Sequence, residues 1–256
     1  MITSTQNPKV KLARSLMGRS KKRCEAQAFM VEGVRLVEEA LSADWPFRFV
    51  LVGETLSRRG RELEEKIKAK GIEVESVTDT LINSISETET SQGILAVLDY
   101  SPLSIPQSLN FVLIPDSIRD PGNLGTLLRT ANAAGVQAVF LPPETTDAFA
   151  PKVVRAGMGA HFRLPIHSLT WEEIRTATKM LKVYLADMQG SPCWQADFRL
   201  PLALIVGGEA EGATDAARKL ANIAVSIPMP GKAESLNAGV AGAILLFEVV
   251  RQRQFR

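Results

Sequence analysis

Residues 110–135 read NFVLIPDSIRDPGNLGTLLRTANAAG, and this stretch decides the fold. Its apolar run Phe111–Ile114 predicts a buried strand, and a polar loop follows. Leu124–Ala134 then has the apolar spacing of a helix, which Gly135 ends. Similar runs without polar alternation recur downstream between helical segments. This pattern is typical of an α/β fold with helices on both faces of a parallel sheet, and ligands of such sheets bind in the loops beyond the carboxyl ends of the strands.

The same alternation extends in both directions from that stretch. The other predicted strands are 29–33, 47–52, 72–74, 93–99, 138–141, 182–186, 202–206 and 223–227. The other predicted helices are a basic one around 13–16 and those at 34–41, 58–70, 79–84, 152–158, 170–180, 214–220 and 236–253. Pro102 and Pro106, with three serines around them, are typical of an interdomain linker. We therefore divide the chain into a small α/β domain over 1–100, a linker over 101–108 and a second α/β domain over 109–256.

The composition excludes several classes of protein. With 45% hydrophobic and 23% charged residues, the chain can bury a core and is neither disordered nor collagenous. Its longest apolar stretch, 236–247, is shorter than the ~20 residues that cross a bilayer, and no apolar signal-peptide segment follows the polar, basic start. Cys24 and Cys193 form neither a disulfide framework nor a CxxC metal site. We expect a cytoplasmic protein without a membrane segment.

The N-terminal segment is strongly basic. Residues 1–24 contain seven basic residues and no acidic ones, so the rest of the chain is net acidic although the whole carries +2. Such a basic arm suggests an anionic polymer as partner, since each Lys or Arg that meets a phosphate releases counterions. A solvated end that only aids solubility is the alternative. The predicted RNA contacts are Lys9, Lys11, Arg14, Lys21, Lys22 and Arg23.

The first loop with unusual composition follows the strand at 111–114. Asn123 is well placed to cap the next helix. Arg129 stands among the small and apolar residues Leu127, Leu128 and Ala131. If that helix face is buried, the guanidinium needs an anion, either a carboxylate or a phosphate.

Two further loops follow predicted strands. Residues 207–212 read GGEAEG, and glycines let a backbone approach a ligand closely, although taken alone a connecting turn is the better explanation. The loop lacks the spacing of a dinucleotide or triphosphate fingerprint. Residues 227–239 read IPMPGKAESLNAG, in which two prolines stiffen the loop and Ser235 or Asn237 can cap the last helix. The small residues beyond it permit close packing at a dimer interface or a tight chain crossing.

Familiar catalytic and metal motifs are missing from the sequence. Its two histidines, His161 and His167, stand neither in a metal-ligand spacing nor near an obvious nucleophile. There is no nucleophile elbow of a serine hydrolase. We expect no metal site.

Taken together, the three loops resemble the three motifs of the SpoU (TrmH-like) family of RNA ribose methyltransferases. The resemblance rests on Asn123–Gly135 with its Arg-Thr-Ala, on Gly207-x-Glu209-x-x-Gly212, and on Ile227-Pro-Met-x-Gly followed by Ser235-Leu236-Asn237. The order of the motifs and their positions after strands also match, over about 150 residues.

The N-terminal part is similar to the substrate-binding domain of that family, which itself resembles kink-turn-binding ribosomal proteins. The matching points are Phe29, Glu32, Gly33 and Gln92-Gly93. Ser91 stands where relatives often have histidine, which leaves the subgroup and the target nucleotide open. Gly239 stands where the third motif often continues with serine or alanine.

The resemblance implies a C-terminal SPOUT α/β domain with a parallel sheet and a deep trefoil knot, preceded by the small ribosomal-protein-like domain. It also implies a homodimer formed through the C-terminal domain, and S-adenosylmethionine as cofactor. The implied cofactor contacts are Gly207, Gly208, Ile227, Met229 and Leu236. The implied catalytic residues are Asn123, Arg129, Glu209, Ser235 and Asn237.

The implied reaction is methylation of a ribose 2′-hydroxyl in RNA, and the separate N-terminal domain favours ribosomal RNA, with 23S rRNA expected. Arg129 suits a developing oxyanion or a flanking phosphate, but it is no simple base because arginine stays protonated. A substrate phosphate, a water or Glu209 are the candidate proton acceptors. The alternatives are a transfer RNA 2′-O-methyltransferase, an antibiotic-resistance rRNA methylase and a catalytically inactive RNA-binding protein.

Overall fold

The computed structural model describes residues 1–88, 90–208, 212–231 and 234–254. Contacts between Cα atoms divide the chain into two compact units. Unit 1 comprises Met1–Ser101 and Phe149–Phe162, and unit 2 comprises Pro102–Ala148 and Arg163–Arg256. Each unit has its own sheet and helices, so the predicted α/β class is confirmed.

Unit 1 is built on a four-stranded mixed sheet with the order β1-β4-β2-β3. The strands are β1 (Ala28–Glu32), β2 (Phe47–Val52), β3 (Val74–Ser76) and β4 (Ile94–Asp99). The first helices along the chain are α1 (Pro8–Met17), α2 (Ser20–Ala26), α3 (Val34–Ser42), α4 (Arg58–Ala69) and α5 (Asp79–Ile85). Strand β4 runs antiparallel to β1 and β2, whereas β2 and β3 are parallel.

The basic N-terminal segment is a folded part of unit 1. Asn7 caps α1 by accepting the N–H of Lys9 at 2.9 Å. Val10, Ala13 and Leu16 point to one side of that helix and are fully buried in the core of the unit. Because its apolar face is needed for the core, the segment is a helix pair rather than an arm that extends from the body.

Unit 2 is built on a six-stranded sheet with the order β10-β8-β9-β5-β6-β7. The strands are β5 (Phe111–Asp116), β6 (Ala138–Leu141), β7 (Ile166–Ser168), β8 (Lys182–Pro192), β9 (Leu202–Gly207) and β10 (Ile223–Ser226). The remaining helices of the chain are α6 (Pro121–Ala133), α7 (Pro151–Gly157), α8 (Trp171–Ala177), α9 (Asp215–Leu220) and α10 (Ala238–Gln254), of which α7 belongs to unit 1. Every pair of neighbouring strands is parallel, which confirms the predicted sheet.

Strand β5 lies inside that sheet, with β9 on one side and β6 on the other. Val112, Leu113 and Ile114 are fully buried, as expected for a strand covered on both faces. The strand ends at Asp116, which pairs with Gly207 at the end of β9. Two of the loops with unusual composition therefore begin side by side at one edge of the sheet.

The segment Phe149–Phe162 belongs to unit 1, whereas the sequence-based division placed it in the second domain. The ring of Phe149 lies 4.9 Å from that of Phe29 and 4.8 Å from that of Tyr100. Arg155 of α7 pairs with buried Glu32 of β1 at 3.6 Å. The two divisions differ because the aromatic side chains of this segment complete a cluster on the first sheet.

Several local expectations were wrong. Asp120, rather than Asn123, caps α6, since its carboxylate accepts the N–H of Asn123 at 2.8 Å. Strand β8 continues to Pro192, well past the predicted end at 186, and α8 ends at Ala177. The strand β7 and the helix α2 were not predicted. Within the described residues, no helix has the length and apolarity needed to span a membrane.

Candidate active site

A pocket of about 680 Å³ opens at the carboxyl ends of β9 and β10. Its walls come from the residues that follow these strands, from the later part of β8 and from the start of α10. Ligands of parallel sheets bind at this edge. The volume is within the range of small-molecule sites, roughly 300–1,000 Å³.

All of the predicted cofactor contacts line this pocket. They are Gly207, Gly208, Ile227, Met229 and Leu236. Ser235, a predicted catalytic residue, lines it as well. The fold thus brings together two segments that are some twenty residues apart in sequence. That these residues hold a cofactor stays a prediction.

The glycines after β9 are required by close backbone approaches. A Cβ on Gly207 would lie 2.7 Å from the backbone nitrogen of Ala213, and one on Gly208 would lie 2.5 Å from the carbonyl oxygen of Ser117. Gly208 and Gly212 form an antiparallel bridge, and Gly212 has a φ of +67°. Gly207, Gly208 and Gly212 therefore occupy positions that favour glycine. Glu209 lies outside the described residues.

The first and third loops meet through two asparagines. The amide Nδ2 of Asn237 donates to Oδ1 of Asn123 at 2.8 Å. Oδ1 of Asn237 accepts the N–H of Val240 at 3.2 Å, so Asn237 caps α10, one of the two caps that the sequence suggested. Two predicted catalytic residues are thereby placed in contact, although 114 positions separate them.

Arg129 occupies the exposed face of α6. Leu124, Leu127 and Leu128 of that helix are fully buried, and Arg129 projects away from them. The condition under which this guanidinium would need an internal anion, a buried helix face, is therefore not met in the single chain. In the described ranges, no side chain pairs with this guanidinium, and Arg129 does not line the pocket of its own chain.

The pocket wall formed by β8 was not predicted. The carboxylate of Asp187 accepts the N–H of Gln189 at 2.9 Å and pairs with the guanidinium of Arg218, and all three residues line the pocket. The N–H of Gln189 and the charge of Arg218 hold the pKa of Asp187 below its usual value. The predicted strand stopped at 186, whereas β8 continues to Pro192 and carries Asp187 and Gln189 in the pocket wall. Asp187, an acidic residue directly after the apolar run 182–186, was the sequence signal for this part of the pocket.

A second missed carboxylate, Asp116, ends β5 and is fully buried. Its oxygens accept the N–H of Thr214 at 2.7 Å and the hydroxyl of Thr214 at 3.3 Å. Burial raises the pKa of Asp116, against the opposing effect of these hydrogen bonds.

Several predicted RNA contacts already have partners inside unit 1. Lys9 pairs with Glu73 at 2.6 Å and with Glu75 at 2.5 Å. Arg23 is buried and donates to the carbonyl oxygens of Leu16 at 2.8 Å and Gly18 at 2.7 Å. We therefore withdraw Arg23 as an RNA contact, because its guanidinium closes the turn between α1 and α2.

The other basic residues of these helices are exposed. Arg14 donates to Oγ of Ser84 at 2.9 Å, and Lys22 pairs with Glu25 at 2.8 Å. Lys21 lies 3.9 Å from Glu25 and is more than four-fifths exposed. Lys11 is exposed. These four residues stay predicted RNA contacts.

Family models match both halves of the chain. The model described as the SpoU rRNA Methylase family matches residues 110–247, and the one described as the MRM3-like substrate binding domain matches residues 7–96. The chain belongs to the SpoU rRNA methylase family. In this chain the methylase region follows the substrate-binding region, as the sequence predicted.

Two curated relatives are similar over nearly the whole chain. The 23S rRNA (guanosine(2553)-2′-O)-methyltransferase RlmP of Bacillus subtilis is 36% identical, over 97% of this chain and 98% of its own. The 23S rRNA (uridine(2479)-2′-O)-methyltransferase of Streptomyces viridochromogenes is 31% identical, over 98% of this chain and 92% of its own. The crystal structure of the SpoU methyltransferase AviRb from Streptomyces viridochromogenes, in complex with AdoMet, is similar with a TM-score of 0.87 and 31% identity, over 97% of this chain and 98% of that one.

The residues of the pocket fit S-adenosylmethionine. Ile227, Met229 and Leu236 supply an apolar wall, while the glycine backbone of residues 207–208 leaves room that a side chain would fill. Asp187 and Arg218 add opposite charges for the polar ends of an amino-acid-bearing nucleoside. This pocket is therefore the candidate site for S-adenosylmethionine, which the AviRb structure contains.

Proposed function

We propose that this chain transfers a methyl group from S-adenosylmethionine to a ribose 2′-hydroxyl of 23S ribosomal RNA. The observation that carries the proposal is the similarity to enzymes named for this reaction over 97% of the chain, which includes the substrate-binding region as well as the methylase region. An inactive RNA-binding protein would be under no need to keep the pocket and the Asn123–Asn237 contact together. The 23S target, rather than a transfer RNA, follows from these relatives.

The reaction needs little more than alignment and electrostatic support. When bound, S-adenosylmethionine would supply a sulfonium methyl group to a ribose oxygen aligned with it: the O–C bond forms as the C–S bond breaks, and S-adenosylhomocysteine leaves. The hydroxyl proton passes to a substrate phosphate, a water or Glu209. The walls formed by Ile227 and Leu236 exclude water from one side of the pocket. Arg129, always protonated, stabilises the oxyanion that develops on the ribose or holds a flanking phosphate.

The asparagine pair is suited to orientation. Asn237 is held by two contacts, through Nδ2 to Asn123 and through Oδ1 to the first turn of α10. A side chain fixed at both ends loses little further entropy when substrate binds. Asn123, Asn237 and Ser235 therefore orient the ribose and Arg129 by hydrogen bonds, and Glu209 completes the catalytic set.

A second copy of the chain brings Arg129 to the pocket. Arg129 is exposed on α6, and Thr126, one turn earlier, approaches Gly239 at the start of α10. Next to Gly239, Val240 is 47% exposed, and Phe247, two turns further along α10, is 49% exposed. An apolar helix face beside an exposed arginine fits a homodimer formed through the methylase region, in which each pocket receives the partner's arginine.

Two further features belong to the same proposal. Membership of the SpoU family supports the trefoil knot in the methylase region. The two free cysteines, Cys24 and Cys193, support a reducing, cytoplasmic location.

The reaction is tested by mapping ribose methylation in RNA. Purified protein, labelled S-adenosylmethionine and unmethylated 23S rRNA should give one position that resists alkaline hydrolysis, and total transfer RNA should give none. Cells that lack the protein should lose that same position. Label in transfer RNA alone, or cofactor binding without any transfer, would contradict the proposal.

The shared site is tested by mixing two inactive variants. Arg129→Ala leaves a pocket intact, and Gly207→Val blocks the pocket but leaves Arg129 intact. If the arginine acts in the pocket of the other subunit, subunit exchange restores up to a quarter of the activity, because mixed dimers then contain one complete site. If the arginine acts within its own chain, the mixture stays inactive.

A further inference from the structure

The buried carboxylate of Asp116 is the strongest feature that the proposed reaction leaves without a role. Asp116 is the last residue of β5 and is fully buried, in a sheet position directly opposite Gly207 of β9. Burial of a carboxylate is costly unless its oxygens are bound by donors. Its partners therefore indicate what the burial achieves.

Both oxygens of Asp116 bind the same residue across the edge of the sheet. One accepts the backbone N–H of Thr214 at 2.7 Å, and the other accepts its hydroxyl at 3.3 Å. The hydroxyl in turn accepts the N–H of Ala217 at 3.2 Å and so caps α9. Thr214 is thereby bound through its N–H and its hydroxyl, directly after Gly212 and Ala213 of the pocket wall.

The backbone that follows β9 passes close to the end of β5. A Cβ on Gly208 would lie 2.5 Å from the carbonyl oxygen of Ser117, the residue after Asp116. Ser117 has a φ of +53°, which is uncommon for a residue with a side chain. The end of β5 thus lies beside Gly208 and binds Thr214.

Described residues between the end of β9 and Thr214 contribute to one wall of the pocket. Gly207, Gly208, Gly212 and Ala213 all line it. Because a glycine-rich backbone has many accessible conformations, a wall built from it needs an external anchor to keep one shape.

We infer that Asp116 is a positioning residue, whose carboxylate acts through Thr214 to hold Gly212 and Ala213 in the pocket wall that receives the cofactor. The inference rests on the proposed function, since it assigns the pocket to S-adenosylmethionine. Asp116 touches neither cofactor nor ribose in this role. Replacement by asparagine would set an amide N–H₂ against a donor on Thr214, or leave one of the two donors without an acceptor.

The test is titration of the purified protein with S-adenosylmethionine, with thermal unfolding measured in parallel. Asp116→Asn should raise the dissociation constant roughly ten-fold or more, since a charged hydrogen bond in a buried site is lost. The matched control is Asp79→Asn in unit 1, where a carboxylate likewise accepts a loop N–H, that of Glu54 at 2.8 Å. The control variant should lose some stability and keep the dissociation constant within two-fold of the parent value.

A second pair of variants decides the matter if Asp116→Asn does not fold. Thr214→Val removes the hydroxyl that links Asp116 to the cap of α9, and Thr170→Val removes the equivalent cap of α8, which has no link to Asp116. Only Thr214→Val should weaken cofactor binding, and Thr214→Ser should restore it. Equal effects of the two valine variants would overturn the inference.

Failure of the inference and failure of the proposed function are separate results. If the parent protein binds S-adenosylmethionine while folded Asp116→Asn binds it within two-fold as tightly, the anchor is wrong and the function stands. If the parent protein binds no S-adenosylmethionine, the proposed function is wrong, and the inference falls with it.

Discussion

The helix pair α1–α2 and the helix α6 both carry positive charge, but they differ in what that charge already contacts. In the helix pair, Lys9 binds two glutamates and Arg23 binds two carbonyl oxygens within unit 1. On α6, Arg129 is exposed, and no side chain in the described part of the chain pairs with it. A charge that is already satisfied gains less from a phosphate than one that is free. The helix pair has more positive charge, but the comparison predicts that Arg129 contributes more to function.

The largest effect is expected from Arg129→Ala. Loss of a group that stabilises a developing oxyanion costs roughly 10²–10³ in kcat. Since Arg129 does not line the pocket of its own chain, the dissociation constant for S-adenosylmethionine should stay within a few-fold. Single-turnover methyl transfer to 23S rRNA and cofactor titration measure the two quantities.

Arg129→Lys is the matched control for that variant. It keeps the charge and loses the planar fork of donors, so it should recover part of the rate and leave cofactor binding unchanged. Unchanged turnover in Arg129→Ala would remove the arginine from the mechanism and erase the contrast with α1–α2.

The exposed face of α10 gives the second effect. Phe247→Asp places a charge on a side chain that is 49% exposed in the single chain, so the fold should tolerate it. If a second copy covers this face, the charge is buried without a partner and the dimer dissociates. Sedimentation velocity should then show monomers, with methyl transfer reduced at least ten-fold at a given concentration of chains. Met180→Asp, at an apolar side chain of unit 2 that is 82% exposed, tests whether any added acid has this effect. A dimeric Phe247→Asp protein would show that another surface joins the subunits.

Arg23→Ala should reduce stability rather than RNA binding. The buried carbonyl oxygen of Leu16 and the partly buried one of Gly18 lose their donor, at a cost of about 1–3 kcal/mol in the free energy of unfolding. Urea denaturation measures this loss. RNA affinity, measured where the variant is still folded, should match that of the parent protein. A stable variant with weakened RNA binding would return Arg23 to the RNA surface.

The sequence predicted the sheet of unit 2 well because periodicity and strand-end rules are local. The run Phe111–Ile114 and the glycines after β9 needed only neighbouring residues to be interpreted, and the pocket lies where parallel sheets bind ligands. The hydrogen bond between Asn123 and Asn237 was beyond such rules, because it depends on how two distant loops approach each other. The resemblance to a family, rather than spacing, suggested that these asparagines act together.

The misassigned charges have a similar explanation. In the composition, Arg23 and Lys11 are equivalent positive charges. In the structure, Arg23 is buried and closes a turn, whereas Lys11 is exposed. The placement of Phe149–Phe162 in unit 1 was missed because nothing local marks an aromatic residue as a partner of Phe29. Contacts in the folded chain, rather than composition, decide both cases.

The smallest effect, and the most direct test of the comparison within α1 itself, comes from Lys11 and Lys9. Each phosphate contact that is lost should lower the slope of log affinity against log salt by about 0.7–0.9. Lys11→Ala should therefore reduce the slope by about this amount. Lys9→Ala should leave it unchanged, because Lys9 is already bound to Glu73 and Glu75. Filter binding of an rRNA fragment over a range of salt concentrations measures both slopes. Equal reductions would mean that RNA displaces the glutamates from Lys9, and that internal pairing does not remove a lysine from the RNA surface.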